Sequence, residues 1–136
     1  MKNPSKLRFS LTSLVVISAL LSCQSAGPSS TLKEANEVHR ASIMIHKDCT
    51  KVLDSLKIVY DGNVAVLTKL DSLAAVLTTW EENLWEVPGF EHDHDHDHQG
   101  HHHTPAPSMT DASMLEYQLE ARKAVEEVKE LLRAIR

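Results

Sequence analysis

The chain has 136 residues, 42% hydrophobic, 24% charged and 4% aromatic: enough for one small core and too few for two. Scarce aromatics, with few Gly and Pro, speak against a β-sandwich and for helices. The formal net charge of −5 removes any electrostatic reason to bind nucleic acid.

The N-terminus reads as a targeting segment. "MKNPSKLRFS" carries Lys2, Lys6 and Arg8 and no acid, and "LTSLVVISALL" follows as an apolar run of eleven residues. A bilayer span needs roughly 20 residues, so the run fits the core of a secretory signal peptide, residues 1–22. It ends in Leu20-Leu21-Ser22-Cys23, which resembles the lipobox of bacterial lipoproteins, with Cys23 the lipidated first residue of the mature chain. Only Cys49 then remains as a thiol, so no intramolecular disulfide is available. Gln24 follows, without the aspartate that marks inner-membrane retention in some bacteria, which points to an outer-membrane lipoprotein facing the periplasm. Loss of the segment leaves eleven basic against nineteen acidic residues, a net charge of −8.

Residues 23–30 are small and polar, a tether between lipid and domain. From Thr31 a helical stripe begins: Ala35, Val38, Ser42, Ile45, Cys49, Val52, Leu56 and Val59 recur at steps of three and four. This predicts a helix over about 31–60, closed by Asp61-Gly62-Asn63, with Gly62 available for a left-handed turn and Asn63 for capping the next helix. A second stripe, Val66, Leu70, Leu73, Leu77, Trp80, Leu84 and Val87, predicts a helix over about 64–86, stopped by "VPG".

Seven of the nine histidines then crowd into twelve positions of a loop over 88–108. In "HDHDHDH", His92, His94, His96 and His98 would lie on one side of an extended chain, with Asp93, Asp95 and Asp97 on the other. Neighbouring imidazoles can converge on one Zn, Cu or Ni ion while the carboxylates offset its charge, and His101, His102 and His103 are spare donors. Many equivalent ligands suit capture, buffering or hand-off better than turnover, which needs a preorganised cage. Two other readings stand beside metal binding. One is a solvated spacer. The other is a pH-responsive segment, whose charge from Glu91 to His103 would run from about −4 to about +3 as the rings protonate.

Beyond "TPAP", Ser108-Met109-Thr110-Asp111 reads as a capping-box-like start, with Asp for the usual Glu. Met114, Gln118, Ala121, Val125, Val128, Leu132 and Ile135 make a third stripe, a helix over about 109–135, with Lys129, Arg133 and Arg136 near its end suiting the dipole. Three helices, each with one apolar face, imply an antiparallel three-helix bundle over 31–136. The alternative is a coiled-coil-like hairpin whose third helix pairs in another chain.

His39 and His46 flank the first stripe about 10.5 Å apart, as boundary residues with hydrogen-bonded rings. His46 and Cys49, at i and i+3, are a second metal candidate; a small residue packing within the stripe explains Cys49 equally well. Trp80 belongs to the core, and Trp85 and Phe90 cover the bundle end. No phosphate loop, nucleophile elbow or HExxH is present, and no nucleophile, base and orienting group assemble from the motifs, so an enzyme is not expected.

The lipobox, Val38-His39 early in the first helix, Trp80 closing the second, and "EVPGFEHDH" from Glu86 to His94 together resemble a group of small uncharacterised bacterial helical lipoproteins. Some of these carry the label "viral A-type inclusion protein", and the likeness is to a subgroup with a His-rich loop. It implies the fold and the anchor. The chain departs from the group where methionines are usual, with Ile43, His46, Val76, Leu77 and Glu81 in those places. The expectation is a lipid-anchored periplasmic metal-binding protein. The alternative is a structural or adaptor lipoprotein that binds an envelope partner or self-associates, its loop a spacer.

Overall fold

The computed structural model describes residues 27–90 and 106–135. Among them are three helices and no strand: α1 (Ser30–Val59), α2 (Val64–Asn83) and α3 (Asp111–Arg133). The expected all-α bundle is what the chain forms. Residues 1–22, expected to be a signal segment, and Cys23 lie outside the described residues, and no described helix is long and apolar enough to cross a membrane.

Local chemistry sets the helix starts. Ser29 caps α1, its Oγ accepting from the Leu32 N–H at 3.1 Å. Asn63 caps α2 through the Val66 N–H at 3.2 Å, and Thr110 caps α3 through the Ser113 N–H at 3.1 Å. Each cap satisfies one of the amides that a helix N-terminus leaves without an internal partner. Gly62 takes φ +80° in the α1–α2 turn, a conformation that L side chains rarely adopt.

Pairings along the chain fix the directions. Ser29 Oγ donates to Asp111 Oδ2 at 2.6 Å, the His39 ring meets Gln118, and Tyr60 Oη donates to the Ile135 carbonyl at 2.9 Å. Both numberings rise together, so α1 and α3 run parallel. Lys57 pairs with Asp71 and His46 stacks on Trp80, so α2 runs antiparallel to both.

α1 and α3 make the most extensive interface in the bundle. The cause lies in α1, where Ala35, Ser42 and Cys49, seven residues apart, are 0%, 0% and 2% exposed. Small side chains let the two backbones approach. The main core combines Leu53, Leu56, Leu70, Leu77, Val125, Val128 and Leu132 with Cys49. A smaller cluster of Ala35, Val87 and Met114 closes the end where α1 and α3 begin.

Three boundaries and one core assignment differ from the sequence reading. α2 ends at Asn83, with Leu84 extended at ψ 116°, because α3 supplies partners to the backbone beyond it. The α3 cap is Thr110 and not Ser108. Tether residues 28–30 belong to the domain, since Pro28 packs near Gly89, Ser29 caps α1 and Ser30 starts it. Val59, placed in the core stripe, is 72% exposed, while Leu53, outside that stripe, is 4% exposed. A seven-residue repeat drifts about 20° per heptad on a straight helix, which carries the Val38, Ile45, Val52 and Val59 column outward by its fourth repeat, while Ala35, Ser42, Cys49 and Leu56 stay buried.

Ser42→Leu should overpack the α1–α3 contact and cost about 1–3 kcal/mol, read as a lowered urea midpoint at unchanged slope.

Candidate functional site

The tract His92, Asp93, His94, Asp95, His96, Asp97, His98, His101, His102 and His103 lies outside the described residues. What is described is how the bundle holds its two ends. Phe90, before it, and Ala106, after it, both pack on the Ala35, Val87 and Met114 cluster. Phe90 and Ala106 therefore stand together at the pole where α1 starts, the pole of the Ser29 cap.

The approach to the tract is held by α3. Tyr117 Oη donates to the Asn83 carbonyl at 2.6 Å and accepts from the Trp85 N–H at 3.1 Å. Its ring stacks on Trp85, with centroids 4.4 Å apart and planes 16° apart. Burial pushes the phenol above its usual range, with the Trp85 backbone contact opposing, so it remains a neutral donor. Gly89 then turns the chain at φ +84°; a Cβ there would stand 3.3 Å from Pro28 Cγ. Trp85 and Phe90 thus cover the bundle end, as the sequence indicated.

Beneath this cover lies a buried polar group. Gln118 is fully buried, its Nε2 donating to the Trp85 carbonyl at 2.8 Å. With the amide nitrogen so committed, Oε1 is the acceptor, and His39 Nδ1–H donates to it at 3.2 Å. His39 is 3% exposed, so it is a core residue and not the boundary residue expected. Ser42 Oγ completes the layer by donating to the Val38 carbonyl at 2.8 Å. Among the described residues no buried side-chain nitrogen or oxygen lacks a partner.

His46 and Cys49 face different neighbours. The His46 ring stacks on Trp80, with centroids 5.1 Å apart, and bonds the Leu77 carbonyl of α2. Trp80 continues the bridge, its Nε1 donating to the Ala121 carbonyl of α3 at 2.8 Å. Cys49 instead faces Lys129, Leu132 and Arg133 of α3. Burial pushes its thiol up, while Lys129 pulls it down, Asp48 pushes up and Arg133 pulls down. A protonated thiol is a poor metal ligand. Among the described residues no three His, Cys, Asp or Glu side chains stand close enough to hold an ion.

Sequence reasoning missed the roles of Tyr117 and Gln118. Gln118 carried a signal, a polar residue at an apolar stripe position; Tyr117 carried none, since its partners lie more than thirty positions away. No protein-family model, curated protein or solved structure matches the chain.

Two outcomes follow. Gln118→Leu strands the His39 donor and the Trp85 carbonyl, and should cost about 2 kcal/mol or more in urea unfolding, whereas a surface change such as Glu120→Gln should leave the midpoint unmoved. His46 is held below its ordinary value of 6.5, first by burial and then by Lys47, with Glu81 and the Leu77 carbonyl opposing. The unfolded chain therefore binds the proton more readily, so this contribution is whole above 6.5 and lost as pH falls below it. The urea midpoint should fall between about pH 7.5 and about pH 5.5, and His46→Gln should flatten that fall.

Proposed function

We propose that the chain is a lipid-anchored protein of the bacterial envelope that captures Zn, Cu or Ni through the tract from Glu91 to His103, for buffering or transfer to a partner. The observation that carries this reading is the density of donors: seven imidazoles and four carboxylates within thirteen consecutive positions. Imidazole favours these metals, and the interleaved aspartates lower the charge of the complex.

The bundle supports the division of labour. Among the described residues every buried side-chain nitrogen and oxygen has a hydrogen-bond partner, and no three His, Cys, Asp or Glu side chains cluster. Trp85 stands five positions before the tract's first packed end, in contact with Tyr117, and serves as an optical reporter.

Titration of the full-length chain with Cu or Ni should quench Trp fluorescence at micromolar metal, and calorimetry with Zn should give comparable affinity. Protons compete for the same ring nitrogens, so binding should weaken steeply below about pH 6. Removal of residues 92–103 should abolish binding with helicity retained; equal binding by the shortened chain would exclude the tract.

A further inference from the structure

A parallel helix pair has two grooves, and α2 fills only one of those between α1 and α3. The His46, Leu53 and Lys57 side of α1 turns to α2. The opposite side carries Val38, Ile45, Val52 and Val59, four β-branched residues seven apart. This column winds out of the core as it ascends: Val38 is 9% exposed, Ile45 and Val52 are half-buried, and Val59 is 72% exposed. Midway along, Asp48 and Val52 of α1 face Lys129 and Arg133 of α3 across a hollow of about 140 Å³ that no α2 residue lines. Asp48 and Lys129 have no ion-pair partner among the described residues.

We infer that this groove is the interface with a second copy of the same chain, the two related by a two-fold axis running along it. Rotation about that axis lays α1 of each copy on α3 of the other at equal height. Asp48 then meets Lys129 and Arg133 of the second copy, and the same pair forms again on the other side, as an isologous contact requires. An axis across the groove would set α1 on α1 and α3 on α3, bringing like charges of α3 together. The charge pattern selects the parallel arrangement.

The size of the face agrees. From Val38 to Val59 the column is about 32 Å long, and two helices are roughly 20 Å wide. Two such faces bury about 1,300 Å² in all, within the range of specific interfaces. The inference needs neither metal nor lipid. It does leave both N-terminal poles on one side of the pair, as two anchors in a single bilayer would require.

Sedimentation of the full-length chain in detergent tests it. The wild-type chain should run as a dimer at micromolar concentration. Val59→Lys, at an exposed position that folding does not need, should weaken it at least about tenfold, as should Asp48→Lys alone. Combining Asp48→Lys with Lys129→Glu and Arg133→Glu in one chain should restore the dimer, with circular dichroism unchanged throughout. A wild-type chain monomeric at about 100 μM, or a dimer that survives Val59→Lys and Asp48→Lys, would overturn the interface. Failure of the triple exchange to restore pairing would overturn the two-fold geometry.

Discussion

The Gln118 amide is hydrogen-bonded on both sides, to the His39 ring of α1 and to the Trp85 carbonyl beyond α2, at a position with no exposed surface. An amide so placed has one good arrangement. A shift of α3 by a single turn would leave a buried donor and a buried acceptor without partners, at about 1–3 kcal/mol each. Apolar contacts between regular helices discriminate poorly between neighbouring registers. Here the polar layer does so, separating the main core from the small cluster at the pole and setting the height of α3 on α1.

The other long-range contacts fall into line with that register. Ser29 reaches Asp111 one way along the pair, and Tyr60 reaches the Ile135 carbonyl the other way. Near Gln118, Tyr117 takes the Asn83 carbonyl and offers its oxygen to the Trp85 amide, which lets α2 end without stranding its last groups. α2 is held more by large side chains than by close backbone approach, with Trp80 spanning from His46 to the Ala121 carbonyl. The bundle is thus a tight parallel pair with a third helix laid against it.

The helices were legible because their apolar stripes are regular: Leu70 and Leu77 in α2, and Met114, Val125, Val128 and Leu132 in α3, are buried where periodicity placed them. Errors arose where a distant partner decides a local question. Pro88 looked like the stop of α2, but the stop is at Asn83, because Tyr117 and Gln118 make extended backbone affordable from Leu84 onwards. His39 read as a boundary residue by spacing alone; its partner, 79 positions away, takes it inside. Of the proposed metal site, composition and spacing were open to reading. That Phe90 and Ala106 meet on one cluster was not, because neither residue signals the other's position.

Those two residues act as fixed posts for everything strung between them. The entropy of closing a chain between two fixed points grows in general only with the logarithm of the number of residues between them, about 0.6 kcal/mol for each doubling. On that scaling, a change in the number of residues between the posts costs the bundle little. The number of imidazoles is then a quantity that selection can tune in small steps, while the helices on which they are mounted stay as they are.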